Sequence, residues 1–136
     1  MGIQGVPGAA LRAFSKIIPD SKIYGADIDS KSLINEGNIR SHFVNQLDRS
    51  TFDDLSLFVG KDIDLLIIDG LHTPRADLNT LLALYQNVAE SGFIVIEDIA
   101  PRAAKYLWPI VVKVLKRKIN INLYDRKNGY LLVFQK

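Results

Sequence analysis

Short runs of β-branched and aliphatic residues alternate along this chain with segments whose apolar positions recur at helical spacing. The runs are Ser21 to Ala26 (SKIYGA), Arg40 to Val44 (RSHFV), Ile63 to Ile68 (IDLLII) and Gly92 to Ile96 (GFIVI), and each predicts a strand. Between them, Ala9 to Ile18 sets Leu11, Phe14, Ile17 and Ile18 on one helical face and stops at Pro19-Asp20. Ser50 to Val59 opens on Ser50 and Thr51 and carries acids in its first turn, as a helix N-terminus should. Asp77 to Val88 places Leu78, Leu81, Leu82, Leu84 and Tyr85 on a broad face, and Pro101 to Leu115 starts on a proline, where a missing N–H costs least. Strands that are apolar on both faces and alternate with helices predict a parallel sheet covered on both sides. The fold class is therefore an open α/β domain.

The last segment departs from that alternation. INLYD and YLLVF flank RKNG, two alternating strands around an Asn-Gly turn, which predicts an antiparallel hairpin closing an otherwise parallel sheet. No internal repeat or linker interrupts the pattern, so residues 1–136 are expected to form a single domain, and 48% hydrophobic residues give it a core of ordinary size.

A formal charge of +2 and a pI near 8.9 are too mild to imply a nucleic-acid partner without a localised patch. The densest basic cluster, Lys113, Lys116, Arg117 and Lys118, lies at a helix end, where it complements the helix dipole. The chain has no cysteine, hence no disulfide framework and no thiolate chemistry, which fits the cytoplasm. Nothing approaches the roughly 20 apolar residues of a membrane span, and the N-terminus lacks the regions of a secretory signal.

In open α/β sheets ligands sit beyond the carboxyl ends of the strands, and here those ends are polar. The first strand ends on Asp27 and Asp29, the second on Asn45, Gln46 and Asp48, the third on Asp69 with His72 three residues on, and the fourth on Glu97 and Asp98. Turn and capping chemistry is expected for some of these, and capping alone could explain Asp48 or Asp98 as readily as a functional role. It accounts less well for two consecutive acids after IVI or for Asp-x-x-His after LLII.

GVPGAALRAF, IYGADID, VNQLD, DLLIIDGLHT and SGFIVIEDI, in this order and spacing, resemble the class I S-adenosylmethionine-dependent methyltransferases. More narrowly they are similar to the metal-dependent O-methyltransferases of sugar and macrolide tailoring. The resemblance covers nearly the whole chain. It implies a Rossmann-like sheet with the C-terminal hairpin, and methyl transfer from S-adenosylmethionine to a hydroxyl of a small-molecule acceptor, a sugar or polyketide. It implies that Asp27 accepts hydrogen bonds from the cofactor's ribose, that Asn45, Gln46 and the Leu47 backbone N–H meet the adenine edge, and that Gly5, Gly8 and Asp69 complete the cofactor's surroundings. It implies further that Asp69, Glu97 and Asp98 hold Mg²⁺, and that His72 and Asp69 are the catalytic pair, with His72 accepting the hydroxyl proton. Gly8 reads equally well as a helix junction beside Pro7, and Asp29 as a turn or cap residue. His42, inside a strand, reads as structural, as do Trp108 and Tyr106 on the helix from Pro101.

The chain departs from the family pattern in three places. Ile68 stands where the family has the first acid of Asp-Asp-Gly, and Ala10 where it has a helix-opening serine. The family's first strand, central in the sheet between those ending at Asp27 and Asp69, has no counterpart here. Three arrangements are open: a fragment of a longer protein, direct closure of the flanking strands, or a segment supplied by another chain. Unpaired edges leave room for self-association into a homo-oligomer. A methyltransferase-like module without catalysis, acting as a scaffold, is the alternative reading, while the lack of a phosphate loop and of a Gly-x-Ser-x-Gly elbow sets other α/β enzymes aside.

Overall fold

A computed structural model of the chain describes residues 6–115, 121–126 and 129–136. It divides into two compact units, Met1–Phe58 and Val59–Lys136.

The first unit holds helix α1 (Ala9–Ile17), strands β1 (Ile23–Asp27) and β2 (Ile39–Phe43), and most of helix α2 (Thr51–Val59). β1 and β2 pair in parallel, Ile23 opposite Ile39 through Asp27 opposite Phe43. A parallel pair needs a crossover, and here it is a single helical turn, Ser30–Ser32, capped by Asp29 Oδ1 on the Lys31 N–H at 2.9 Å. Asp29 is thus the cap its position suggested. Asn38 ties the α1 end to the sheet, its Nδ2 donating to Ser21 O at 2.7 Å while its Oδ1 accepts from Ser15 Oγ. Buried Ile23, Ile39, Val44, Phe52 and Leu55 form the core of this unit. The expected apolar face of α1 is only partly used, because Ile17 and Ile18 remain exposed at its end. His42 is half-buried with its ring 5.1 Å from that of Phe58, a packing role.

The second unit is a four-stranded sheet in the order β3-β4-β6-β5, built from β3 (Ile63–Ile68), β4 (Val88–Ile99), β5 (Ile121–Arg126) and β6 (Gly129–Gln135), with helices α3 (Pro74–Leu84) and α4 (Trp108–Leu115). β3 and β4 are parallel, whereas β6 runs antiparallel to both β4 and β5, so the hairpin closes the sheet as its sequence predicts. Arg126 pairs with Gly129, and the predicted turn residue Asn128 lies outside the described residues, as do Lys116, Arg117 and Lys118 of the basic cluster. Leu66, Ile68, Ile94, Ile96, Leu132 and Phe134 alternate into one buried face, and Leu81 and Leu84 of α3 and Trp108 and Val112 of α4 are buried in the same unit. The opposite face is less covered than strands apolar on both sides predict. Leu65 and its registered partner Phe93 keep 45% and 48% of their surface.

Three boundaries differ from the pattern reading, each for a local reason. α3 begins at Pro74, three residues before the predicted start, because Thr73 caps it and Pro74 fills the first helical position. Its buried face is Ala76, Asp77, Thr80, Leu81 and Leu84, so Leu82 points outward and an acid points in. β4 starts at Val88, the last residue of the predicted helix and four before the predicted strand start at Gly92, because a short 3₁₀ turn ends at Asn87 and Asn87 Nδ2 binds Gly60 O at 2.5 Å. Within the helix from Pro101, a π-turn at Ala103–Leu107 precedes α4; Trp108 is buried as expected, while Tyr106 lies exposed with Lys105 over its ring.

Among the described residues β1 pairs only with β2, and β3 only with β4, so the flanking strands do not close up into one ladder.

Candidate functional site

β3 delivers Asp69 directly past its carboxyl end, and the loop to Thr73 carries His72. His72 has φ 53°, a left-handed conformation that costs a non-glycine residue of order 1 kcal/mol or more. β4 delivers Asp98 through a bulge. Its register against β6 slips between Ile96 and Ile99, so one extra residue is inserted and Ile99 returns to the buried face. Asp98 is at φ 49°. Of the three non-glycine residues with positive φ among those described, two therefore belong to this cluster, and strain of that kind persists where surrounding structure holds it.

The ligand atoms of Asp69, His72 and Asp98 lie within 4.8 Å of one another. His72 Nε2 is 3.7 Å from Asp69 Oδ1 and 3.9 Å from Asp98 Oδ2, close enough for charge attraction and too far for a hydrogen bond. All three side chains are partly open, 57% for Asp69 and 38% for each of the others, which leaves room for water and for a ligand. Two carboxylates that can each give one oxygen, with open space around them, suit a hard cation that keeps several waters; the imidazole does not suit magnesium as a ligand and is better placed as an acid-base group. Glu97, expected as a third ligand, is half-buried on β4 and is not one of the three residues whose atoms gather.

A fourth group adjoins this cluster that sequence reasoning did not single out. Asp77, in the first turn of α3, is only 2% exposed, and its Oδ1 has no hydrogen-bond partner. Burial pushes its pKa up to about 6, against an opposing pull from the charge of His72. The signal was present in the sequence, since Asp77 is in phase with Leu81 and Leu84 on the helix.

In the other unit, Asp27 ends β1 half-buried, and its Oδ1 accepts from the Asp29 N–H at 2.8 Å, which fixes the carboxylate at the strand end. Asn45 Oδ1 accepts from the Leu47 N–H at 3.0 Å, so the backbone donor expected to meet a ligand closes a turn in this structure. Thr51 Oγ1 receives the Asn45 N–H at 3.2 Å and steadies the same turn. Gln46 is half-buried between them. Gly8 caps α1 at φ 73°, a left-handed conformation that favours glycine, so the helix junction itself gives a reason for this residue. Gly5 lies outside the described residues.

Comparison with known proteins places the chain. The model of a family described as "Methyltransferase domain" matches residues 6–99. The mycinamicin VI 2''-O-methyltransferase of Micromonospora griseorubida is 34% identical over 91 residues, 67% of this chain and 23% of that protein. The demethylmacrocin O-methyltransferase of Streptomyces fradiae is 32% identical over 92 residues, 68% of this chain and again 23% of that protein. The chain thus spans about a quarter of the length of these curated relatives. Among solved structures, the MycE methyltransferase of the mycinamycin biosynthetic pathway, in complex with Mg, SAH and mycinamycin VI, superposes with a TM-score of 0.74 at 22% identity, over 99% of this chain and 41% of that one. The α/β methyltransferase fold with its antiparallel C-terminal strands is shared. No described helix is long and apolar enough to cross a membrane.

Proposed function

The chain belongs to the methyltransferase-domain family, and from that premise we propose that it is part of an S-adenosylmethionine-dependent O-methyltransferase acting with Mg²⁺ on a hydroxyl of a small, sugar- or polyketide-like acceptor. The observation that carries this reading is the gathering of Asp69, His72 and Asp98 at two neighbouring strand ends. The similarity to two macrolide O-methyltransferases supports it. A family model that runs across both compact units supports reading residues 1–136 as one domain.

Asp69 and Asp98 would hold the metal, with Glu97 beside Asp98 as the remaining acid of the expected set. Mg²⁺ bound there would lower the pKa of an acceptor hydroxyl. Asp27 would accept hydrogen bonds from the cofactor's ribose, the turn from Asn45 to Leu47 would face the adenine, and Gly5 and Gly8 would complete the cofactor's surroundings. Bound S-adenosylmethionine would supply the sulfonium methyl.

The chain's own residues would then do three things. Asp69 and Asp98 fix one end of the acceptor's path. His72 Nε2, the imidazole nitrogen nearest both acids, receives the hydroxyl proton as the oxygen attacks. The strained backbone at His72 and Asp98 holds these groups in place before the acceptor arrives, so that alignment for an in-line displacement supplies much of the rate. The scaffold alternative draws no support from the relatives. Calorimetric titration of Mg²⁺ into the chain and into Asp69→Ala tests the site: binding by the first and none by the second is expected, and equal binding would remove Asp69 from it.

A further inference from the structure

We propose that the outer face of the helix spanning residues 101–115 docks on an anionic membrane surface, its exposed apolar row entering the interface while its lysines meet the lipid headgroups. Nothing in this docking depends on the methyl-transfer chemistry.

The helix is apolar on two opposite sides. Ala104, Trp108 and Val112 follow one another at one-turn spacing and are all buried. Tyr106, Ile110 and Val114 repeat that spacing two residues on, about half a turn around the helix, and keep 62%, 63% and 80% of their surface. A surface helix needs one apolar stripe in order to pack. Single exposed apolar residues are ordinary, but a continuous row opposite a fully buried one is more than folding requires.

Charge decides the occupant. Arg102, Lys105 and Lys113 are exposed on the same helix, and residues 101–115 contain no acid. Lys105 Nζ lies 5.2 Å from the centre of the Tyr106 ring, so cation and apolar row share one surface. Six of the 17 basic side chains and none of the 15 acidic ones fall between Asp98 and Asp125, so a chain of net charge +2 is positive here and negative elsewhere. A second copy paired antiparallel across Ile110 would bring Lys105 of one helix against Lys113 of the other, like against like. A stable protein partner needs about 800 Å² on each side, more than three side chains on one convex helix offer. A phosphate backbone would answer the lysines and leave Ile110 and Val114 in water. An anionic bilayer answers both: its acyl boundary accepts the row, Tyr106 suits the headgroup level, and the lysine stems let the charges reach lipid phosphates. The helix would lie on the bilayer, being too short to cross it.

The test is sedimentation of the full chain with vesicles of phosphatidylglycerol and phosphatidylcholine in equal parts, and with vesicles of phosphatidylcholine alone. Binding to the anionic vesicles is expected to be tighter by about tenfold or more, and to weaken as salt is added. Ile110→Ser with Val114→Ser, and separately Lys105→Gln with Lys113→Gln, should each lower that affinity by about tenfold or more. These side chains are exposed, so folding is little affected, and emission from the single, buried Trp108 reports that it is intact; if the paired serine variant is unfolded, Ile110→Ser alone takes its place. Absence of binding to the anionic vesicles would overturn the proposal, as would undiminished binding by the folded serine variant. Equal affinity for polyglutamate, which offers charge without an apolar layer, would assign the face to an acidic protein and overturn it too. So would a doubled mass in solution that Ile110→Ser returns to that of the monomer, the mark of a second copy on this face.

Discussion

At the scale of single residues, the site is a set of acids placed in unequal surroundings. Asp69 is more than half exposed, so its replacement removes little packing and should change the fold little. Asp69→Ala is expected to abolish thermal stabilisation by Mg²⁺ while leaving the metal-free unfolding temperature within a few degrees of wild type, as differential scanning would show. Asp77 is the opposite case. Its folded pKa of about 6 lies above its ordinary value of 3.8, so the folded state binds the proton more tightly than the unfolded one. Stability therefore falls as pH rises from about 4 through 6, and the burial costs up to about 3 kcal/mol once the group is ionised. Asp77→Asn should flatten that fall and stabilise the chain above pH about 6; denaturant unfolding across this window would reveal it, and an unchanged slope would contradict the burial argument. Asp27 is half-buried and already engaged with the Asp29 N–H. Its replacement by Ala should weaken cofactor binding by about 1.5 to 3 kcal/mol, the worth of a hydrogen bond to a charged group.

At the scale of elements, the metal-facing geometry depends on a bulge and on the hairpin that presses against it. A Cβ at Gly129, whose φ is 153°, would stand 3.0 Å from both Asp98 C and Ile99 O. Gly129→Ala must therefore displace the backbone that aims Asp98, at a cost of about 1 to 3 kcal/mol. Weaker Mg²⁺ binding is expected alongside lower stability, and a loss of stability with full Mg²⁺ affinity would separate the hairpin from the site. The elements themselves were largely legible in the sequence. Ile63–Ile68 is the predicted strand, and the alternation of INLYD and YLLVF announced the hairpin. The bulge was not legible, because GFIVIEDI reads as an unbroken strand and the slip is visible only against β6. The Thr73-Pro74 start of α3 was legible in principle and outweighed by the leucine pattern further on, which also turned attention from Asp77 to Leu82.

At the scale of the whole molecule, the sequence pointed to Asp69, His72 and Asp98 because strand ends are where an α/β sheet displays its chemistry. It did not separate Asp98 from Glu97, because in an ideal strand the two would face opposite ways and only the bulge decides which reaches the cluster. Among the described residues the strands form two separate sheets, β1-β2 in the first unit and β3-β4-β6-β5 in the second.

The central proposal is that the chain binds the methyl-donor cofactor and Mg²⁺. The most direct measurement is calorimetric titration of S-adenosylhomocysteine into the purified chain with and without Mg²⁺, which requires no knowledge of the acceptor. Micromolar binding, equivalent to about 8 kcal/mol, is the expected result, with the affinity lowered by Asp27→Ala. No heat of binding from a folded, monodisperse sample would contradict the account.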